Sequence, residues 1–198
     1  IASCLVGSEM CIRDRDYAHA TIGVSERCRA DLVERFGFPP HQTHVIENAV
    51  DIGAFRARDR RHERTEPMLR ALFVGRVEDA SKGVLWLGEI LDALPETVTL
   101  TIAGSGPDMD SLKRRLAGHW KRVTYLGSVP QERVPSIMAE HDVLIMPSRY
   151  EGLPMTLIEA MAAGCVPVVS HIRGVTDTVV EHEATGFLFP VGNYTAAA

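Results

Sequence analysis

The sequence predicts an α/β fold built on a doubly wound parallel sheet, and two observations carry that prediction. From residue 69 onward, β-rich runs alternate with helical patterns of about 10–15 residues, the spacing of strands joined by crossover helices. Runs such as VLIM at 143–146 and VPVV at 166–169 are apolar at every position rather than at every second one. A strand reads that way when both of its faces are covered.

The elements follow in order. Residues 20–24 read as a strand. Ser25 is placed to cap a helix running through Arg35, which Gly37, Pro39 and Pro40 stop. Residues 43–46 form a second short strand. Residues 51–66 crowd Arg56, Arg58, Arg60, Arg61 and Arg64 together, but Asp59, Glu63 and Glu66 are interleaved. That mixture is expected of a solvated linker between domains. Beyond Pro67, strands are expected at 69–74, 98–103, 123–126, 142–146, 166–169 and 186–189. Helices are expected at 82–94, 108–116, 130–140, 155–163 and 175–180. Open sheets of this kind bind ligands beyond the carboxyl ends of their strands, so the chemistry should sit in those loops.

Composition narrows the function classes. The 198 residues are 45% hydrophobic and 24% charged, as in a folded chain rather than a disordered one. A net charge of -5 speaks against nucleic acid as a partner. Cys4, Cys11, Cys28 and Cys165 have no paired CxxC spacing, so neither a disulfide framework nor a zinc site is implied. A reducing, cytoplasmic setting is the expectation. Residues 3–15, SCLVGSEMCIRDR, have neither helical nor strand periodicity. This stretch resembles a translated sequencing-adaptor artefact, and residues 1–15 are set aside from fold reasoning.

The most informative loop follows VLIM and reads PSRYEGLPMTLIEAMA from Pro147. Gly152 lets backbone approach a ligand, and Pro154 suits the first turn of a helix. The N–H groups from Leu153 to Leu157, with Met155 and Thr156 between, would then form an anion site suited to a diphosphate. Glu151 lies in the loop and Glu159 in the helix. Their separation suits two distant hydroxyl clusters better than one shared proton.

The segment EGLPMTLIEAMAAGCVPVV closely resembles the E-x7-E segment of glycosyltransferase family 4, the retaining glycosyltransferases of GT-B fold. The resemblance implies that Glu159 holds the ribose hydroxyls of a nucleotide and that Glu151 faces the transferred sugar. The backbone of Gly152, Leu153, Pro154, Met155, Thr156 and Leu157 would meet the phosphates and sugar. Gly75, Arg76 and Lys82 resemble the family's GR…KG segment, which makes Arg76 and Lys82 the cations that neutralise the donor diphosphate. AGSGP at 103–107 resembles the GxGP turn. YLGSV at 125–129 resembles the loop whose backbone faces the base, through Gly127 and Val129. HIRGVTD at 171–177 resembles the family's Gly-Gly-then-acid loop, with Arg173 in place of the first Gly and Asp177 in place of the usual Glu. VIENAVD at 45–51 resembles the segment closing the first domain, with Ala49 where glycine is usual.

The resemblance further implies a donor domain over 67–198 and the end of an acceptor domain with its linker over 16–66. The whole protein would transfer a hexosyl unit from a nucleoside-diphosphate sugar, UDP- or GDP-linked, to a sugar or lipid-linked acceptor, with retention. No metal or other cofactor is implied, and peripheral membrane association would come through the rest of the first domain. Residues 17–50, a βα piece without its sheet, should expose apolar surface. A nucleotide-binding module without transfer activity and a GT-B sugar-nucleotide epimerase are the alternatives.

Three other motifs are weaker. Asp108 and Asp110 fit a DxD metal pattern but open a helix, where acids complement the dipole. Gly104 and Gly106 make an incomplete dinucleotide fingerprint. His41 and His44 lack a third ligand and read as surface histidines.

Overall fold

The computed structural model describes residues 18–55 and 68–198. The artefact-like segment 1–15 and the arginine-rich stretch 56–66 lie outside the described residues. Contacts divide the chain into two compact units between Ala49 and Val50.

In the first unit, β1 (Thr21–Gly23) and β2 (Thr43–Val45) pair in parallel, joined through α1 (Glu26–Glu34). Ser25 caps α1 as expected: its backbone is extended and its Oγ accepts from the Cys28 amide at 3.2 Å. Leu32 and Phe38 are buried, whereas Ile46 remains 60% exposed. Ala49 requires no glycine, because Glu183 is the one non-glycine residue with positive φ among the described residues.

The second unit is a six-stranded parallel sheet in the order β5-β4-β3-β6-β7-β8. Its strands are β3 (Leu69–Val74), β4 (Val98–Ala103), β5 (Val123–Gly127), β6 (Val143–Met146), β7 (Val166–His171) and β8 (Phe187–Pro190). The chain winds outward from β3 to β5, returns to set β6 against the other side of β3, and winds outward again to β8. Both faces are covered, as the uniformly apolar strands required. Ala71 and Phe73 pack on one face with Leu87, Ile90 and Leu91 of α3 (Leu87–Ala93) and Leu112 of α4 (Met109–Arg115). Leu72 points the other way, among Ile137 and Met138 of α5 (Val134–Ala139) and Leu157 and Ala160 of α6 (Met155–Ala162). Phe55, in the stretch read as linker, joins this second cluster. Burying each of the leucine, isoleucine, methionine and phenylalanine side chains is worth about 1.5–3 kcal/mol. Among the described residues, no helix is long and apolar enough to cross a membrane.

Several expected helices are broken. The segment read as one helix over 82–94 is instead α2 (Asp79–Lys82), a 3₁₀ turn at Val84–Trp86, and α3. Gly83 adopts φ +58 and ends α2, so the register cannot continue through it. The helix expected over 130–140 starts as a 3₁₀ turn at Gln131–Arg133, and 175–180 holds only the 3₁₀ turn Thr176–Thr178.

The loops after β3 and β4 touch backbone to backbone. The Gly75 amide donates to the Ala103 carbonyl at 3.0 Å, and the Val77 amide to the Ser105 carbonyl at 2.9 Å. Gly104 has φ +148, and a Cβ there would overlap the Gly75 carbonyl oxygen. A Cβ at Gly106 would collide with the Val77 carbonyl oxygen. The GxG pattern therefore reflects loop-on-loop packing, not a dinucleotide site. Gly104→Ala is expected to cost roughly 1–3 kcal/mol, read as a lower urea midpoint. Gly118→Ala, whose added methyl meets nothing within 4 Å, should stay within about 0.5 kcal/mol. Equal midpoints for the two variants would contradict this account of the loop contact.

Candidate functional site

The direction in which the chain adds strands reverses between the parallel neighbours β3 and β6, and such sheets bind ligands in the crevice beyond the carboxyl ends of the strands at that point. The loop after β3 carries Gly75, Arg76 and Lys82 to it. The loop after β6 carries Glu151 and leads into α6. Gly83 is what lets the two meet, since a Cβ there would collide with the Pro147 carbonyl oxygen and the Trp86 ring.

Lys82 Nζ lies 2.6 Å from Glu151 Oε1, and the Ser148 hydroxyl donates to the same oxygen at 2.6 Å. Glu151 is 7% exposed and Ser148 fully buried. A carboxylate so enclosed must be compensated, and the ammonium and the hydroxyl do so. Arg76 shares the loop but stands apart. Its guanidinium is 67% exposed and lies 3.4 Å from Glu78, which the Ser81 hydroxyl holds at 2.6 Å. An exposed pair of this kind holds a side chain only loosely. The structure therefore brings Lys82 to Glu151 directly and leaves Arg76 at the rim of its own loop.

The start of α6 departs from the expectation. Pro154 has extended backbone and is the cap, one residue ahead of the helix rather than in its first turn. It has no N–H, and the Leu157 amide is engaged by the Pro154 carbonyl at 3.1 Å. The expected run of free amides from Leu153 to Leu157 is thus shorter, with Met155 and Thr156 at the helix start. Leu153, Pro154 and Leu157 are buried and anchor the loop, while Gly152 is part-exposed. Glu159 is the fifth residue of α6, and its carboxylate makes no hydrogen bond or ion pair among the described residues. Burial pushes its pKa above the ordinary glutamate value.

The remaining loops follow the carboxyl ends of β5 and β7. Gly127 ends β5, its carbonyl accepts from the Gly104 amide at 2.7 Å, and a Cβ there would meet nothing within 4 Å. Ser105 and Ser128 share a hydroxyl hydrogen bond of 2.7 Å, and Val129 packs against the second core cluster. Asp177 closes its own turn. Burial alone would raise its pKa, but His171 and the Gly174 and Val175 amides outweigh burial and hold the carboxyl below its ordinary value. Arg173 is exposed.

Asp108 does more than favour its own helix. Its carboxylate accepts from the Asp79 amide at 2.7 Å and so caps the neighbouring α2. Among the described residues, no group of three or more His, Cys, Asp or Glu could hold a metal ion. His41 and His44 are both exposed.

Sequence reasoning missed Ser148, Asp79 and Arg149. Ser148, three residues before Glu151, had a legible signal in its reach along a tight loop. Arg149 had none, because its partners lie 70 positions away at Asp79.

Residues 69–198 match the family described as Glycosyl transferases group 1. The chain is 28% identical over 173 residues to the phosphatidylinositol N-acetylglucosaminyltransferase GPI3 subunit of Saccharomyces cerevisiae, covering 83% of this chain and 38% of that protein. It is 30% identical over 177 residues to glycogen synthase of Mycobacterium tuberculosis, covering 85% and 41% respectively. Among solved structures it resembles Anabaena HepE in complex with UDP and glucose, with a TM-score of 0.80 at 23% identity over 92% of this chain and 52% of that one. Staphylococcus aureus TarM, in complex with fondaparinux, alpha-GlcNAc-glycerol and UDP, gives 0.80 at 19% identity over 94% and 36%. The chain spans less than two thirds of the length of each of these relatives. The structural likenesses establish the fold as GT-B. Because the family match runs from β3 to the last turn, taking in the whole sheet and both loops of the crevice, the chain belongs to the glycosyl transferases group 1 family.

Proposed function

We propose that this chain forms the donor-nucleotide half of an enzyme that transfers a hexosyl unit from a nucleoside-diphosphate sugar with retention. The carrying observation is the meeting of Lys82 and Glu151 at the β3/β6 crevice, with the helix bearing Glu159 rising directly from the same loop. Lys82 and Arg76 take the diphosphate, and the Met155 and Thr156 amides add donors at the start of α6. Glu151 faces the sugar, and Glu159 accepts from the ribose hydroxyls. The loop around Gly127 and Val129 receives the base. Departure of the nucleoside diphosphate builds negative charge, and each fixed donor aimed at it lowers the barrier by about 2.7–4 kcal/mol. No metal ion is needed in this scheme, because the two cations and the helix start meet that charge.

In the resting state Lys82 is held by Glu151. On binding, the ammonium either bridges carboxylate and phosphate or exchanges one for the other. Ser148 keeps the Glu151 carboxylate in place during that exchange. The reading favours UDP as the nucleotide, supported by the UDP in the HepE and TarM complexes. A sugar or lipid-linked acceptor is supported by the glycan ligands of TarM and by the phosphatidylinositol in the yeast relative's name. Cys28 and Cys165 are free thiols, which favours a reducing, cytoplasmic setting.

Calorimetric titration of UDP, GDP and ADP into the chain should reveal saturable binding of one of them. Glu159→Ala, and Arg76→Ala combined with Lys82→Ala, should each weaken it about tenfold or more. Undiminished binding in either variant would refute the assigned roles. In the full-length parent, proton NMR of the first-formed product should show the donor's anomeric configuration; the opposite anomer would refute retention. Glu159 also links function to stability. Burial disfavours its ionised form when folded, so the carboxylate opposes folding at pH 7 and ceases to do so once protonated. Glu159→Gln should therefore raise the unfolding midpoint at pH 7, and the gain should shrink as pH falls through the raised pKa. A pH-independent gain would mean that packing, not charge, is responsible.

A further inference from the structure

We propose that Arg149 is a positioning residue for the donor diphosphate: it fixes α2 against the Glu151 loop and so determines where the Lys82 ammonium stands. The inference rests on the donor-site reading above. Helix α2 spans only Asp79–Lys82, too short to hold its shape alone. It depends on outside contacts at each end.

At its first residue, Arg149 Nη2 donates to Asp79 Oδ2 at 2.8 Å and Nε donates to the Asp79 carbonyl at 3.0 Å. The Arg149 amide donates to the Ser81 carbonyl at 2.8 Å, one residue before Lys82. The Asp79 carboxylate also accepts from the Leu85 amide at 3.0 Å, which ties the chain beyond Gly83 to the same point. The guanidinium lies 3.6 Å over the Trp86 ring, which stacks on Tyr194 at 3.7 Å. Arg149 is thus held between an aromatic face and the Asp79 acceptors. Lysine could pair with Asp79 but could not reproduce both the fork and the stack.

The arrangement differs from an ordinary exposed ion pair, which rarely constrains anything. Here one side chain joins the loop carrying Glu151 to the helix carrying Lys82, and the aromatic stack limits how either side could slide. With Nε and Nη2 held on Asp79 and the guanidinium over the Trp86 ring, Arg149 acts through the placement of Lys82. Its loss should be felt by the diphosphate more than by the nucleoside, whose ribose partner Glu159 lies on α6.

The test compares the unaltered chain with Arg149→Met, which retains an apolar stem over Trp86, and Arg149→Lys, which retains the charge. Ligands are the best-binding of UDP, GDP and ADP and its matching nucleoside monophosphate, the latter followed by saturation-transfer NMR. Arg149→Met should weaken the diphosphate about tenfold while leaving the monophosphate within about twofold, with Arg149→Lys in between. Equal losses for both ligands would indicate a general structural role and overturn the proposal. Unchanged diphosphate affinity in Arg149→Met would overturn it while leaving the donor-site reading intact. Absence of binding by the folded, unaltered chain would remove the donor-site reading and this inference with it.

Discussion

β3 is hydrogen-bonded on one side to β4 and on the other to β6, although some 70 residues of chain separate it from the latter. That double pairing sets everything at the crevice. The loops leaving the carboxyl ends of β3 and β6 lead to helices packed on opposite faces of the sheet. Side chains placed at those two strand ends must face one another. Lys82 and Glu151 do so because Gly83 removes the one Cβ that would keep their loops apart.

Electrostatics at this point are arranged in depth. Glu151 is enclosed and doubly compensated, whereas Glu159 is part-buried and has no partner among the described residues. The first is a fixed element whose charge is absorbed by the protein. The second is an acceptor kept ready at some cost to folding. Two carboxylates eight positions apart thereby acquire different characters from their surroundings alone. Arg76, exposed and paired among the described residues with Glu78, represents a third condition: a charge at the surface of its loop.

Much of this was legible in the sequence. The uniformly apolar strands announced a sheet covered on both faces, and Phe73 and Leu72 do bury into opposite clusters. The wording around Glu151 and Glu159 located the loop at the correct strand end. What escaped was geometry set by single residues or distant partners. A helical pattern over 82–94 hid the left-handed turn at Gly83, because apolar periodicity continues across it. The free-amide run at α6 was overcounted, since Pro154 has no N–H and its carbonyl engages Leu157. Asp108 read as an acid serving its own helix, and only the fold reveals that its carboxylate serves α2. Arg149 was illegible for the same reason: nothing local distinguishes it from a surface arginine.

The backbone-to-backbone contact between Gly75 and Gly104, and between Val77 and Gly106, has a further consequence. Two main chains in direct apposition leave no side-chain volume for a compensating second change to adjust. The two floor loops are therefore insulated from sequence drift, while residues projecting above them remain free to diversify. A scaffold of this sort would permit relatives to diverge to about a quarter identity without moving the floor of the crevice.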